Sequence, residues 1–151
     1  MKLFTIGDTH LSLGTSKPMD IFRGWENYVS LLEENWRAEV GEEDTVVIPG
    51  DISWGIDLEE AAADLHFLDR LPGSKILLKG NHDLWWPTSR KLRNFLDSEG
   101  ITTLTPLLHD AVDVGEVIVA GTRGWSREEN AETEFTVYRR ETLRLGMALD
   151  A

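Results

Sequence analysis

Three short polar groups in the first half of the chain combine the side-chain types that bind divalent metal ions. They are Gly7-Asp8-Thr9-His10, Gly50-Asp51 and Gly80-Asn81-His82-Asp83. Carboxylate, imidazole and amide donors suit a borderline-to-hard divalent cation such as Mn, Fe or Zn. The glycine at the start of each group lets the backbone turn sharply into a site. A metal centre is therefore predicted, provided that the fold brings the three groups together.

Each polar group follows a short run of β-branched or aliphatic residues, which is typical of a buried strand. The runs are Leu3–Ile6, Thr45–Ile48 and Lys75–Lys79. Because helical patterns separate these runs, the strands should be parallel and the fold class α/β. The carboxyl ends of parallel strands share one edge of a sheet, where open α/β folds bind ligands. We expect Asp8, His10, Asp51, Asn81 and His82 to converge at that edge.

The helical patterns have a clear periodicity or clear end signals. An amphipathic stripe predicts the first helix; its members are Trp25, Tyr28, Val29, Leu32 and Trp36. Asp57 is placed to cap a second helix, whose inward residues are Leu58, Ala61, Leu65 and Leu68. A third helix should begin near Pro87, with Leu92, Phe95 and Leu96 facing inward.

The later part of the chain has a different pattern. Short strands are predicted at Ile101–Pro106, Ala111–Val114 and Val117–Ala120, the last two forming a hairpin around Gly115-Glu116. From about Asn130 a terminal helix is expected, with one face made of Phe135, Tyr138, Thr142, Leu145 and Leu149. Nothing after it would cover that face, so we expect an exposed stripe through which two copies of the chain could pair.

Composition excludes several classes of protein. The chain has 151 residues, no cysteine and a net charge of −12, so disulfide scaffolds, cysteine nucleophiles and thiolate metal sites are ruled out. An acidic surface repels phosphate backbones and anionic membranes, which disfavours both as partners. No apolar run has the length of a membrane span or a signal peptide. We expect a cytoplasmic protein if the host is bacterial.

The motifs together resemble the signature of the calcineurin-like metallophosphoesterases, and in particular a small bacterial branch of phosphohydrolases. The resemblance is carried by Asp8-Thr9-His10, Gly50–Gly55, Gly80–Trp86 and Gly121–Trp125. It implies an αββα sandwich and two divalent metal ions, with a hydroxide between them that attacks a phosphomonoester or phosphodiester. We expect the substrate to be a small phosphorylated molecule.

The same resemblance assigns roles to individual residues. Asp8 and His10 would bind the first metal, Asp51 would bridge both, and Asn81 would bind the second. His82 would stabilise the transition state or protonate the leaving alkoxide. Two further residues, Asp83 and Arg123, are candidates for supporting or substrate-binding roles. Asp83 could orient His82, whereas Arg123 could contact phosphate or form a structural salt bridge.

The sequence departs from the family pattern in two ways. The family uses three further histidines from its second half, but the sole histidine after His82 is His109, which matches neither expected motif. We therefore predict that residues 1–151 are the N-terminal portion of one metallophosphoesterase domain. The alternative to an active enzyme is an inactive fragment, or a metal-binding module completed by its missing part or by another chain. In addition, Gly50–Gly55 lacks the Asp and Arg that serine/threonine protein phosphatases carry just after this position. Their absence disfavours a protein phosphatase.

The aromatic residues and the remaining histidines leave some alternatives open. The helical stripe places Trp25 and Trp36 in the core. The tryptophans that follow the metal motifs could either wall a substrate pocket or pack beneath the loops; they are Trp54, Trp85 and Trp86. His66 and His109 are interpreted as structural residues.

Overall fold

The computed structural model describes residues 1–124 and 132–151. The chain divides into two compact units, Met1–Pro106 and Leu107–Ala151. Three predictions lie outside the described residues: Trp125 of the Gly121–Trp125 motif, the helix start at about Asn130 and the side chain of Phe135.

A four-stranded parallel sheet forms the centre of the first unit. Its strands are β1 (Leu3–Thr5), β2 (Thr45–Ile48), β3 (Ser74–Leu77) and β4 (Leu104–Pro106), hydrogen-bonded in that order. The pairing is parallel throughout, as the residue pairs Phe4↔Val46, Val47↔Ile76 and Ile76↔Thr105 show. The α/β fold class is thereby confirmed. The strand predicted within Ile101–Pro106 joins this parallel sheet rather than the hairpin region, since it pairs directly with β3.

Three α-helices connect these strands: α1 (Tyr28–Glu39), α2 (Leu58–Asp69) and α3 (Ser89–Ser98). The predicted N-cap of α2 is confirmed, because the Asp57 side chain accepts a 3.0 Å hydrogen bond from the N–H of Glu60. Of the predicted inward residues, Ala61, Leu65 and Leu68 of α2 and Leu92 and Leu96 of α3 are buried. Leu58 and Phe95 are half-buried.

The start of α1 differs from the prediction. The apolar stripe placed Trp25 on the helix and in the core, but the helix begins at Tyr28. Asn27 adopts the left-handed conformation with φ of +57°, which a continuous right-handed helix does not allow. Trp25 therefore lies in the preceding turn and is half-buried. Trp36 is buried as predicted, and its indole N–H donates to the carbonyl of Pro72 at 3.0 Å.

The second unit contains an antiparallel hairpin and the terminal helix. Strands β5 (Asp110–Asp113) and β6 (Ile118–Gly121) pair as the sequence predicted, and the helix is α4 (Glu132–Leu149). The buried residues of α4 include Glu141, whose carboxylate accepts hydrogen bonds from Arg144 at 2.7 Å and Thr122 at 3.2 Å. The predicted apolar stripe is exposed, as expected; its described members are Tyr138, Thr142, Leu145 and Leu149. Pairing of two copies through this helix stays a prediction.

Candidate metal centre

Hydrogen bonds between two loops hold the first two polar motifs side by side. Beyond the ends of β1 and β2, the N–H of Asp8 donates to the carbonyl of Gly50 at 3.1 Å. The N–H of His10 then donates to the carbonyl of Asp51 at 2.9 Å. The pairing continues through Leu11, so the two loops extend the parallel ladder past the strands. The sheet thereby fixes the backbones of Asp8, His10 and Asp51 relative to one another.

The side chains of Asp8, His10 and Asp51 meet at this edge. One donor atom from each lies within 4.8 Å of the others, and Oδ1 of Asp8 is 3.7 Å from Nε2 of His10. Asp51 is only 8% exposed, whereas the side chain of Asp8 is 74% exposed. The cluster is thus anchored on a buried carboxylate and open to solvent on one side.

All three clustered residues adopt the left-handed backbone conformation. The φ angles are +56° at Asp8, +42° at His10 and +52° at Asp51. This region is disfavoured for residues with a Cβ and costs about 1–3 kcal/mol at each position. Such a strained conformation persists only where contacts with the surrounding structure hold the backbone in place, and it is found most often at functional sites.

The donor set fits a divalent cation. Two carboxylates and one imidazole are ligands that Mn, Fe and Zn accept. Moreover, Nδ1 of His10 is buried and has no hydrogen-bond partner among the described residues. An unsatisfied buried polar atom costs free energy, and a cation ligated by Nδ1 itself would offset part of that cost.

The third motif approaches the same edge from β3. The backbone N–H of His82 donates to Oδ1 of Asp51 at 2.9 Å. The His82 ring lies 5.9 Å from the His10 ring, measured between centroids, in an edge-on arrangement. Asn81 and His82 are both exposed on the turn that follows Gly80. The structure therefore places His82 beside the cluster. Asn81 precedes His82 on the same exposed turn.

Asp83 is buried beneath the centre. Its carboxylate accepts hydrogen bonds from the backbone N–H groups of Asp51 (2.8 Å) and Gly80 (2.7 Å), and from the Trp85 indole at 2.9 Å. Ile52 and Ser53 donate two more, at 2.8 and 3.2 Å. The side-chain bonds described for Asp83 thus run to the Asp51 loop and its own turn rather than to the His82 ring.

Aromatic side chains surround His10. Its ring stacks on Trp54 with 4.9 Å between centroids and 17° between planes, and Trp25 lies 6.2 Å away. The Tyr28 hydroxyl donates to the carbonyl of His10 at 2.8 Å. Burial raises the pKa of this phenol above its ordinary value. Trp25 and Tyr28 were not predicted as neighbours of the site, because the helical stripe accounted for both.

The tryptophans of the third motif have a packing role. Trp85 and Trp86 are 2% and 4% exposed, and their rings contact each other at 5.2 Å. Because both are buried, the structure favours packing beneath the loops over the alternative of a pocket wall. Trp54, which is half-buried against His10 and His82, is the tryptophan that borders the site.

The loop after Asp51 is also anchored by a second buried acid. The Asp64 carboxylate of α2 accepts hydrogen bonds from the Ser53 hydroxyl and from the N–H of Leu13, the latter at 2.7 Å. Burial raises the pKa of this carboxyl above its ordinary value. Asp64 therefore links the segment that follows His10 to the loop that follows Asp51.

A cavity of about 310 Å³ lies on the side of Tyr28. Its lining is mixed, and the residues are Ser12, Leu13, Pro18, Asp20, Asn27, Tyr28, Val29 and Ser30. Since Tyr28 also hydrogen-bonds to His10, this cavity is one side chain away from the candidate centre.

The remaining residues singled out in the sequence lie elsewhere. His66 pairs with Glu99 at 3.0 Å, as expected of a structural histidine. His109 has a positive φ of +45° directly before β5. Arg123 follows β6 in the second unit and is half-buried. In residues 1–124 and 132–151, no helix is both long enough and apolar enough to cross a bilayer.

Parallel strands that deliver carboxylates and an imidazole to one sheet edge define an α/β protein with a candidate metal centre. The family model of the calcineurin-like phosphoesterases matches residues 1–137 of the 151-residue chain. The chain therefore belongs to the calcineurin-like phosphoesterase family, whose members are in general metal-dependent hydrolases.

A solved structure supports the fold. A protein of unknown function from Aquifex aeolicus aligns with a TM-score of 0.51 and 17% sequence identity. The alignment covers 99% of this chain and 72% of the Aquifex chain. At that identity the similarity concerns the fold alone. Comparison with curated proteins gives no significant match.

Proposed function

We propose that this protein hydrolyses a small phosphomonoester or phosphodiester with the help of two divalent cations. The observation that carries the proposal is the meeting of Asp8, His10 and Asp51 within 4.8 Å at the sheet edge. Membership of a phosphoesterase family supports the reaction class. The strained backbone of all three residues supports a functional rather than a purely structural cluster.

In this proposal Asp8 and His10 hold the first cation, Asp51 contributes to both, and Asn81 contributes to the second. Mn, Fe or Zn matches the donors. Bound cations supply positive charge that neutralises the phosphate and lowers the pKa of water, so that hydroxide is available at neutral pH.

His82 is proposed to handle the proton of the leaving group. Its side chain is exposed and lies beside the His10 ring, so a substrate phosphate at the cluster would be within its reach. A protonated imidazole stabilises negative charge on the phosphate oxygens and can pass its proton to the departing alkoxide. Its backbone bond to Asp51 keeps the residue at the centre when the ring moves.

A small substrate fits the surroundings of the site. The cavity beside Tyr28, at about 310 Å³, is large enough for the organic part of a small phosphate ester. The net charge of −12 gives long-range repulsion of polyanions, which favours small esters over nucleic acids or anionic membranes. The substrate's phosphate would be drawn to the cations rather than to the protein surface.

The proposal is tested by hydrolysis of p-nitrophenyl phosphate and bis(p-nitrophenyl) phosphate with Mn²⁺, with and without a chelator. We expect turnover that the chelator abolishes and that Asp51→Asn removes. Asp57→Asn is the matched control, because asparagine also caps helices, and it should keep full turnover. Turnover that resists the chelator, or that survives Asp51→Asn, would contradict the proposal.

A second candidate is a metal-binding module without hydrolytic activity. It is favoured by one observation: within residues 1–124 and 132–151, Asp8, His10 and Asp51 are the single cluster of three or more histidine and acidic donors. Three protein ligands suit one cation, whereas the second would have Asp51 and Asn81 alone. Calorimetric titration with Mn²⁺ separates the candidates, since the enzyme should bind two equivalents per chain and the module one.

A further inference from the structure

Asp83 makes the densest set of hydrogen bonds described around the candidate centre. It is fully buried, and both carboxylate oxygens are in use. Oδ2 accepts from the N–H groups of Asp51 and Gly80. Oδ1 accepts from Ile52, Ser53 and the Trp85 indole. One side chain therefore joins the loop after β2 to the turn after β3.

These bonds constrain the backbone at the residue that both proposed cations would share. Asp51 holds a φ of +52°, a conformation that costs free energy for a residue with a Cβ. The Asp83 carboxylate binds the N–H of Asp51 itself and the next two N–H groups in the chain. Hydrogen bonds to a carboxylate are stronger than those between neutral groups. Asp83 thus offsets the strain that directs the Asp51 side chain into the cluster.

We propose that Asp83 is a positioning residue for the metal centre, which acts by holding the backbone of Asp51 in its strained conformation. This inference rests on the proposed function, because it assumes that Asp51 binds a cation. It differs from the sequence-based expectation, in which Asp83 orients His82. In the structure its partners are the backbone of the metal-binding loop and a buried indole.

The substitution Asp83→Asn tests the inference with little change in volume. Each oxygen of Asp83 accepts from N–H donors, so an amide NH₂ at either position would face another donor. Metal affinity, measured by calorimetric titration with Mn²⁺, should fall about 10- to 100-fold, as is typical when the support of a metal ligand is removed. In the same variant, kcat should fall by a larger factor than KM changes.

Asp69→Asn is the matched control. Asp69 also accepts several hydrogen bonds, from Thr102 and Thr103, but it is the last residue of α2 and lies at the opposite end of the strands. We expect this variant to lower the melting temperature while it keeps the wild-type Mn²⁺ affinity. An equal loss of affinity in both variants would mean that stability alone is responsible, and the inference would be wrong.

Trp85→Phe gives a second test that does not depend on the folding of Asp83→Asn. It removes one donor to Asp83 and keeps a buried ring, and we expect Mn²⁺ affinity to fall about threefold. If Asp83→Asn does not fold, unchanged affinity in Trp85→Phe overturns the inference. Wild-type protein that binds no Mn²⁺ would instead refute the proposed function. Wild-type binding with unaltered binding in folded Asp83→Asn would refute the role of Asp83 only.

Discussion

Oδ1 of Asp51 accepts a 2.9 Å hydrogen bond from the backbone N–H of His82. The proposed bridging ligand and the proposed proton donor are therefore joined directly, although 31 positions separate them in the chain. Because the bond uses the backbone of His82, its ring stays free to approach a substrate. The carboxylate, in turn, keeps its orientation when the ring is altered.

This relationship predicts that His82 can be changed without loss of metal. His82→Ala retains the N–H that binds Asp51, so Mn²⁺ affinity should stay at the wild-type value. Hydrolysis of esters with poor alkyl leaving groups should slow by about 10²–10⁴-fold, since those groups need a proton. Aryl esters with good leaving groups should slow much less. A comparison of kcat for the two ester types checks this, and equal losses would contradict a proton-donor role.

Gly80 should be essential to the position of Asp51. A Cβ at residue 80 would overlap Oδ1 and N of Asp51 and lie 2.8 Å from its Cγ. We expect Gly80→Ala to destabilise the fold by about 1–3 kcal/mol and to weaken Mn²⁺ binding. The control is Gly146→Ala in α4, where a Cβ meets nothing within 4 Å. That variant should gain about 0.5–1 kcal/mol in the free energy of unfolding, as measured by urea denaturation.

The stack between Trp54 and His10 should contribute to metal affinity. At 4.9 Å between centroids, the indole restricts the rotation of the imidazole before any cation binds. Trp54→Ala should weaken Mn²⁺ binding by the free energy of such a pair, about 0.5–1.5 kcal/mol. Trp54→Phe keeps an aromatic face and should retain most of the affinity. Equal affinities for wild type and Trp54→Ala, in the same titration, would show that the stack has no such effect.

Lys75 should make stability rise in mildly alkaline solution. It is fully buried on β3, where its ammonium donates to the carbonyl of Leu71 and to Thr103 Oγ1 at 3.1 Å. Burial lowers its pKa from 10.5 to about 8. Between these values the unfolded chain binds a proton that the folded chain does not, so the free energy of unfolding increases with pH. Urea denaturation from pH 7.5 to 10 should show this rise for wild type and a flatter profile for Lys75→Met.

Asp64 should produce the opposite slope in acid. Burial raises its pKa above the ordinary 3.8, so the folded state holds a proton that the unfolded state has already lost. The free energy of unfolding should therefore fall as pH rises from about 4. Asp64→Asn can still accept from Leu13 and donate to Ser53, and should lack this dependence. Melting temperatures of both proteins from pH 4 to 7 test the prediction, and parallel curves would contradict it.

Local patterns in the sequence predicted most of the first unit correctly. Short aliphatic runs before glycine located β1, β2 and β3 because buried parallel strands need continuous apolar residues. The cap at Asp57 was recognisable since capping depends on neighbouring residues alone. The meeting of Asp8, His10 and Asp51 followed from the parallel order of the strands.

Features that depend on distant contacts were not predictable in this way. Trp25 fitted the helical stripe, yet the left-handed backbone at Asn27 prevents the helix from starting before Tyr28 and leaves Trp25 beside His10. In α4 the buried face includes Glu141, because Arg144 and Thr122 satisfy its carboxylate. A pattern of apolar residues contains no information about such pairing.

The sequence by itself determined the fold class, the three polar motifs and the edge of the sheet where they meet, because periodicity and turn residues act over a few neighbouring positions. Tertiary structure decided how the motifs are held. Asp83 binds the loop of Asp51 from 32 positions away, and Trp54 stacks on His10. Those contacts depend on the packing of whole elements, since a buried carboxylate can serve any donors that the fold brings to it.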